Sequence, residues 1–274
     1  MKVNPLVDSV LNDTFSIDTF SNDTEFSARV RSRFGRHAAE YAGHARLQRG
    51  LAWRLAHLCA PLQLAAGPRA DLGAGSGLVG QALRAQGRQE TLLQLDICPE
   101  LLARNPLAAI DGQLSWDLNQ GLPEQLGQPA LLTSSFALQW LKNPATQLQH
   151  WCEQLRPGGW LGLAVPTSAS FPQWHQAAAA AGVPCTALSL PAAEALLAAA
   201  NRGGLLAHYS RRLRFSRTCS SGLSFLQQLR GLGASASRAS RLSAVQLRRL
   251  LHYWPTDGCV SWEVLVLLGQ RPGP

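Results

Sequence analysis

The chain has 274 residues, of which 46% are hydrophobic and 15% charged, with a formal net charge of +8. This length and apolar share supply the core of one α/β domain and exclude a chain that is disordered throughout. No run of 18 apolar residues occurs and acids interrupt the first 20 residues, so we expect a cytoplasmic protein without a membrane span or a signal peptide. The six cysteines form no Cys-x-x-Cys pair, which favours neither a zinc site nor a disulfide framework.

The charge is unevenly distributed along the chain. Residues 1–28 carry one Lys and five acids, whereas residues 29–274 carry 24 Lys and Arg against 12 acids, a balance of +12. Residues 195–256 hold ten arginines and not one Asp or Glu. Such a stretch attracts nucleic acid or an acidic protein, although solvated arginines on helix faces are equally common. We interpret residues 1–28 as a flexible acidic extension and residues 29–274 as the folded domain.

The first predicted elements are two helices over residues 30–62, where apolar residues recur at helical spacing up to a proline. Short apolar runs then alternate with helical stretches, which predicts an α/β fold with a doubly wound, mainly parallel sheet. The predicted strands of this part are residues 70–74, 91–97, 113–118, 130–136 and 160–165. The helices between them are predicted at residues 78–86, 99–105 and 144–155. The first strand carries little apolar surface, so tertiary burial must hold it.

The last third of the chain adds two strands, for seven in all, and further helices. The strands are predicted near residues 205–215 and 260–268, and the helices near residues 172–181, 192–200, 221–229 and 244–253. The apolar residues of the last helix share one face: Leu247, Leu250, Leu251 and Trp254. This face can rest on the core while Arg248 and Arg249 project elsewhere. Residues 231–241 are flexible by composition and read either as a substrate-facing loop or as a linker.

The segment that ends the first predicted strand and opens the next helix holds an acid and three alternating glycines: Asp71, Gly73, Gly75 and Gly77. Ligands of α/β sheets bind at this end of the strands, and glycines let backbone amides approach them closely. Residues 75–80 also satisfy the dinucleotide pattern G-x-G-x-x-G, and Asp96 lies 19 residues beyond Gly77. In either reading the Asp96 carboxylate can accept hydrogen bonds from ribose hydroxyls. The residues therefore predict a nucleoside cofactor.

Two further features select among nucleosides: Asp117 at the end of the third strand and Leu-Arg-Pro-Gly-Gly at residues 155–159. With the acid before the glycines, they resemble the class I S-adenosylmethionine-dependent methyltransferases, which have a Rossmann-like fold. The resemblance implies that the glycine loop cradles the methionine part of S-adenosylmethionine, that Asp96 holds the ribose and that Asp117 binds the adenine amino group. The cofactor-binding residues that we expect on this basis are Asp71, Gly73, Gly75, Gly77, Asp96, Ile97, Asp117, Leu118, Ser134 and Gln139.

Four segments resemble a narrower family, the malonyl-[acyl-carrier protein] O-methyltransferases of biotin biosynthesis. They are Phe34-Gly35-Arg36 with Ala38, Tyr41, Ala45 and Gln48; residues 134–140; residues 229–234; and Ser261-Trp262-Glu263-Val264. The first corresponds to a lid helix, so the resemblance implies a helical lid over residues 29–62 and substrate-side cap elements over residues 167–256. Ser135 stands where the family pattern has Asn.

The resemblance implies methylation of the free carboxylate of a malonyl thioester on acyl carrier protein. That carboxylate is ionised at neutral pH, so alignment suffices and no base or metal is needed. We expect Tyr41 and Arg36 to position the reactants, and an arginine to bind the substrate carboxylate, with Arg36, Arg211, Arg212 and Arg214 as candidates. The candidate residues for docking the acidic carrier protein are Arg211, Arg212, Arg248 and Arg249.

Two alternatives stay open at this stage. An RNA or small-molecule methyltransferase of the same fold also suits the basic domain, and an RNA-binding surface would show a steep salt dependence. A non-catalytic assembly factor that kept the fold would not bind the cofactor, although the three aspartates argue against it.

Overall fold

The computed structural model describes residues 23–273. The helices are, in chain order, α1 (Asp23–Arg36), α2 (Tyr41–His44), α3 (Arg46–Cys59), α4 (Leu78–Ala85), α5 (Pro99–Leu102), α6 (Ala108–Asp111), α7 (Pro144–Gln154), α8 (Pro172–Ala181), α9 (Ala193–Arg202), α10 (Gly222–Gly231) and α11 (Ala244–His252). The strands are β1 (Arg69–Leu72), β2 (Leu93–Asp96), β3 (Gln113–Ser115), β4 (Leu131–Ser135), β5 (Trp160–Pro166), β6 (Leu206–Thr218) and β7 (Cys259–Gln270). None of the helices in this range is long and apolar enough to cross a membrane.

The described strands form one seven-stranded sheet in the order β3-β2-β1-β4-β5-β7-β6. Strands β1 to β5 pair in parallel, whereas β7 runs antiparallel to both of its neighbours. The α/β fold with a mainly parallel sheet is confirmed. Because the chain turns from β3 back to β4 beside β1, the strand order reverses between β1 and β4, where a crevice opens at the carboxyl ends of the strands.

Both faces of the sheet are covered, which explains how the weak strand β1 is held. Ala70 and Leu72 are fully buried, and α7 and α9 supply Trp151 and Leu196 to their cluster. On the other face α3 and α4 pack Leu55 and other apolar side chains against the sheet. Burying one large aliphatic side chain contributes about 1.5–3 kcal/mol, so the surrounding layers supply what the sequence of β1 lacks.

The segment after β5 builds a cap with its own aromatic core. The rings lie on or next to α8, α10 and α11 and at the start of β7, and their contacting centroids are 5.5 to 6.2 Å apart: Phe171, Trp174, Phe225, Trp254 and Trp262. The predicted apolar face of α11 packs here. Glu263 ties the cap to the sheet, because its Oε1 accepts a hydrogen bond from Thr167 Oγ1 at 2.7 Å. The cap therefore stands beyond the carboxyl end of β5.

The N-terminal helix begins earlier than the sequence indicated. Asp23 opens α1 and the side chain of Phe26 is 2% exposed, so residues 23–28 belong to the folded domain and not to the predicted flexible extension. Phe26 packs with Val30 and with Ala236 of the cap. The rest of the predicted extension, residues 1–22, lies outside the described residues.

The Gly- and Ser-rich segment at residues 231–241 packs against α1. Arg29 donates a hydrogen bond to the carbonyl oxygen of Ser237 at 3.2 Å, and Arg33 donates to Ser235 Oγ at 2.9 Å. The guanidinium of Arg238 lies 3.9 Å from the centroid of the Phe26 ring, a cation–π contact. This segment therefore joins the cap to the N-terminal helix.

Candidate active site

A pocket lies at the carboxyl ends of β1, β2 and β4 beneath α1 and α2, with a volume of about 870 Å³ when the open solvent at its mouth is included. Its polar side is formed by residues at or just beyond the ends of the strands: Asp71, Gly73, Gly75, Asp96, Asp117 and Ser135. Its apolar side is formed by Val30, Phe34, Ile97, Leu118, Phe136 and Trp140. The pocket lies at the switch point of the sheet, where α/β folds bind their ligands.

The glycine loop has backbone angles that residues with a side chain rarely adopt. Gly73, Gly75 and Gly77 have φ of +73°, +52° and +80°. A Cβ on Gly73 would lie 2.1 Å from Ala137 Cβ, and one on Gly77 would lie 2.2 Å from Asn105 Oδ1. The loop thus needs glycine both for backbone angle and for space.

Asp96 links the end of β2 to this loop. Its two carboxylate oxygens accept hydrogen bonds from the backbone amides of Gly75 and Cys98, each at 2.8 Å. Burial raises the pKa of Asp96 to about 6, although these amides act to lower it. The remaining lone pairs of both oxygens are available to a ligand in the pocket.

Asp71 is the most deeply buried acid of the pocket, with 1% exposure. Thr133, its neighbour across the sheet, donates a hydrogen bond to Asp71 Oδ1 at 2.8 Å. Asp71 Oδ2 has no hydrogen-bond partner among the described residues. Burial raises the pKa of Asp71 to about 7, the Thr133 hydrogen bond acts to lower it, and the charge of Asp96 adds to the rise. Such a group favours a cationic ligand atom.

Asp117 is fixed by a residue that the sequence analysis missed. Asn119 donates hydrogen bonds to Asp117 Oδ1 through its backbone at 2.9 Å and its side chain at 2.8 Å. The same Asn119 amide group lies 3.0 Å from Ser27 Oγ on α1. Asn119 therefore connects the acid after β3 to the helix above the pocket. The only sequence signal is an Asp-x-Asn turn, which is too common to identify such a role.

Three expected cofactor residues support the pocket from behind and do not line it. Ser134 Oγ donates to the carbonyl oxygen of Leu72, and Gln139 Nε2 donates to that of Phe136, both at 2.8 Å. Phe136 has φ of +56°, an unfavourable conformation for a non-glycine residue, and Gln139 helps to hold it. Gly77, the residue before α4, packs against the side chain of Asn105.

The two predicted positioning residues take different places. Tyr41 lines the pocket, with its ring 6.1 Å from that of Phe34. Arg36 is exposed at the end of α1 and lines a shallow groove, which also includes Arg31 and Glu100 and which adjoins the pocket through shared residues such as Asp117. In the part of the chain that the structure describes, no Arg or Lys lines the pocket itself.

The predicted docking arginines do not share one surface. Arg211 and Arg212 alternate along β6, so they point to opposite faces of the sheet, and Arg212 lies 2.5 Å from Glu194 of α9. Arg248 and Arg249 are exposed together on α11.

Comparison with known proteins agrees with this geometry. A family model of a methyltransferase domain matches residues 43–210. The chain is 34% identical over 252 residues to the biotin biosynthesis bifunctional protein BioCD of Bordetella avium. The matched region covers 89% of this chain, and the chain spans about half (52%) of that relative's length. It is 31% identical over 250 residues to the malonyl-[acyl-carrier protein] O-methyltransferase of Erwinia pyrifoliae, covering 86% of this chain and 90% of that protein.

Solved structures agree on the fold. The methyltransferase of Haloferax volcanii, solved with the Trm112 methyltransferase activator, has a TM-score of 0.56 at 19% identity, over 89% of this chain and 98% of that one. Sequence relatives, family model and pocket position lead to one assignment. The chain belongs to the malonyl-[acyl-carrier protein] O-methyltransferase family, within the class I methyltransferases.

Proposed function

We propose that the protein transfers a methyl group from S-adenosylmethionine to the free carboxylate of a malonyl thioester on acyl carrier protein. The observation that carries the proposal is the convergence of Asp71, Asp96 and Asp117 with the glycine loop on one pocket. We take the malonyl thioester as the acceptor because relatives of this chain are named for it. One of them is the malonyl-[acyl-carrier protein] O-methyltransferase of Erwinia pyrifoliae, at 31% identity.

The residues of the pocket fit this cofactor. S-adenosylmethionine, when bound, supplies an electrophilic methyl group on a sulfonium. Its ammonium suits Asp71 Oδ2, the buried acceptor without a partner among the described residues. Asp96 offers free lone pairs to two hydroxyls, and the apolar wall around Ile97 and Leu118 suits a flat adenine ring. Ser135 Oγ is a second buried polar atom on the pocket without a described partner.

The chain's own residues then position the reactants. The malonate carboxylate needs no deprotonation, so the site must align it, strip its water and keep solvent out. Phe34 and Trp140, whose rings lie 5.6 Å apart, close the apolar side. Alignment of this kind can supply roughly 7–11 kcal/mol of the barrier.

Asp96→Asn should weaken binding of S-adenosylhomocysteine about 100-fold, because hydrogen bonds to a charged acceptor are lost and an amide NH₂ would face a backbone N–H. Isothermal titration calorimetry measures this. Asp257→Asn is the matched control, since exposed Asp257 accepts the same kind of turn hydrogen bond, from Cys259 N at 2.9 Å. Equal affinities for wild type and Asp96→Asn would contradict the assignment.

Tyr41→Phe should lower the rate of methyl transfer roughly tenfold, the value of one hydrogen bond to a charged group. Burial and the charge of Asp96 raise the pKa of Tyr41, so its hydroxyl stays protonated and can donate to a carboxylate. Single-turnover assays report the effect, with exposed Tyr253→Phe as the control. Unchanged turnover would remove Tyr41 from the site.

Docking of the acidic carrier protein should depend on α11. The double substitution Arg248→Glu and Arg249→Glu is expected to raise KM for malonyl-[acyl-carrier protein] about tenfold, through long-range repulsion. The KM for a small malonyl thioester should stay unchanged. Arg202→Glu serves as the control, because Arg202 ends α9 beside the start of β6, at the sheet edge remote from the pocket. Equal rises for both substrates would count against docking on α11.

The experiment that tests the proposed function is mass spectrometry of malonyl-[acyl-carrier protein] incubated with the protein and S-adenosylmethionine. A gain of one CH₂ on the malonyl arm, and none on an acetyl arm that lacks the free carboxylate, is the expected result. Methylation of RNA, or no methylation with intact cofactor binding, would overturn it in favour of the alternative methyltransferase. Absence of cofactor binding would favour a non-catalytic factor.

A further inference from the structure

Strand β4 ends in three consecutive residues that carry a hydroxyl group: Thr133, Ser134 and Ser135. The first two hydroxyls are used inside the fold, since Thr133 Oγ1 donates to Asp71 Oδ1 and Ser134 Oγ donates to the carbonyl oxygen of Leu72, both at 2.8 Å. Ser135 Oγ is buried and has no hydrogen-bond partner within residues 23–273. Burial removes the hydrogen bonds that a hydroxyl makes to water, so buried hydroxyls normally have a partner. Of the three groups, the Ser135 hydroxyl is therefore the one available to a ligand.

The course of β4 directs the Ser135 side chain towards the pocket. Ser135 still pairs in register with Ala164 of β5, so the strand is regular up to this residue. Side chains alternate between the two faces of a strand, which places Ser135 on the same face as Thr133 and about 7 Å further along. Thr133 contacts Asp71 on that face, and both Asp71 and Ser135 line the pocket. The unpartnered hydroxyl thus lies on the pocket side of β4.

The arginines considered for the acceptor carboxylate lie elsewhere. Arg36 lines the adjoining groove, and the others are on β6, the last strand of the described sheet: Arg211, Arg212 and Arg214. A cation placed among the three acids of the pocket would pair with them and compete with the ammonium of the cofactor. Neutral donors bind a carboxylate without this competition. Besides Ser135, the pocket lining offers the neutral side chains of Tyr41 on α2 and Gln48 on α3.

The end of β4 is also the part of the pocket that the cofactor leaves free. The three acids that suit the cofactor belong to the ends of β1, β2 and β3, and β4 lies on the other side of β1. Residues 133–140 contain no acid. Beyond Ser135 the wall continues with the apolar rings of Phe136 and Trp140. A single hydroxyl donor in an apolar wall suits the carboxylate at the end of a short acyl chain.

We propose that Ser135 binds the carboxylate of the acyl acceptor, with its Oγ–H donating a hydrogen bond to one carboxylate oxygen. The inference rests on the proposed function for the identity of the acceptor. One hydroxyl engages one oxygen and leaves the other free to react, whereas an arginine fork commonly engages both. The position of the donor is fixed by the sheet, because the next amide, that of Phe136, donates to the carbonyl oxygen of Ala164 at 2.9 Å. Ser135 then selects acyl groups that end in a carboxylate.

The test uses the full-length protein saturated with S-adenosylhomocysteine and measures binding of two thioesters by isothermal titration calorimetry. Malonyl-pantetheine carries the carboxylate, and isovaleryl-pantetheine is a neutral thioester of nearly the same shape. Ser135→Ala should weaken binding of malonyl-pantetheine at least tenfold, the value of a hydrogen bond to a charged group, and leave binding of isovaleryl-pantetheine unchanged. KM for malonyl-pantetheine in methyl transfer should rise by the same factor. Equal binding of malonyl-pantetheine by wild type and variant, or equal losses for both thioesters, overturns the proposal.

Ser216→Ala is the matched control, because it also removes a serine hydroxyl from a strand, here one exposed on β6 and 3.0 Å from Ser261 Oγ. Ser135→Asn should restore part of the affinity, since an amide can donate in place of the hydroxyl and the family pattern has Asn at this position. Unchanged affinity of Ser135→Ala for S-adenosylhomocysteine shows that the cofactor site is intact. If the variant weakens S-adenosylhomocysteine and not malonyl-pantetheine, Ser135 serves the cofactor and the proposal is wrong.

Mass spectrometry of the same proteins separates this inference from the proposed function. If malonyl-pantetheine binds in a Ser135-dependent manner but is not methylated, the proposed function fails and the carboxylate site stands. If wild type and Ser135→Ala methylate the thioester with the same KM, the proposed function stands and Ser135 is not the acceptor-binding residue. Failure of wild type to bind malonyl-pantetheine overturns both.

Discussion

Gly73→Ala is expected to reduce the affinity for S-adenosylhomocysteine by at least 100-fold. Gly73 has φ of +73°, and a new Cβ would lie 2.1 Å from Ala137 Cβ. A non-glycine residue in this region costs about 1–3 kcal/mol, and the steric overlap costs about as much again. The loop must shift to relieve both, and the amides of Gly73 and Ala74, which donate to Leu95 O at 2.8 Å, move with it. Isothermal titration calorimetry measures the loss.

Gly87→Ala separates the steric effect from the backbone effect. Gly87 has φ of +94° and is exposed, and no described atom outside its chain neighbours lies within 4 Å of the place that a Cβ would take. This control carries the backbone penalty alone, so it should lose some stability and keep its affinity for the cofactor product. Wild-type affinity in Gly73→Ala would show that the loop does not contact the cofactor.

Asp71→Asn is expected to stabilise the ligand-free protein at pH 8 by on the order of 4 kcal/mol, from about three pKa units at 1.36 kcal/mol each. The pKa of Asp71 is raised from 3.8 to about 7 by burial. The folded state therefore holds its proton more tightly than the unfolded state. Stability is fully present below about pH 4 and is lost as pH rises through 7. Urea unfolding at pH 5 and pH 8, compared between wild type and variant, checks the slope.

Cofactor binding should have the opposite pH dependence. Only ionised Asp71 attracts an ammonium, so wild-type affinity for S-adenosylhomocysteine should fall as pH drops from 8 to 6, and Asp71→Asn should bind weakly throughout. Asp96, whose pKa is raised to about 6, contributes in the same direction, which is why the comparison with Asp71→Asn is needed. Parallel pH profiles of stability in the two proteins would refute a buried titrating Asp71.

The convergence of the three acids was predictable because it needs only the topology. Each acid lies in the part of a predicted parallel strand that leads to its carboxyl end, and such ends share one edge of the sheet. The position of β1 was also predicted, but its stability was not, since Ala70 and Leu72 gain their burial from helices far away in sequence.

The roles of individual side chains were harder to predict from the sequence. Ser134 and Gln139 stand in a segment typical of the family, yet their hydrogen bonds go to Leu72 and Phe136, which only the three-dimensional course of the chain can decide. The contact of residues 231–241 with α1 joins Arg29 to a residue 208 positions later. Composition reports local flexibility, so it carries no signal for such a distant partner.

The outermost strand of the sheet has a consequence for behaviour at high concentration. β6 is last in the order of the described strands and runs for 13 residues, a length at which an exposed strand edge invites pairing with another molecule. It carries four exposed guanidinium groups: Arg211, Arg212, Arg214 and Arg217. Pairing of this strand with the same strand of a second molecule would place arginines close to arginines. The repulsion between these charges therefore opposes edge-to-edge aggregation.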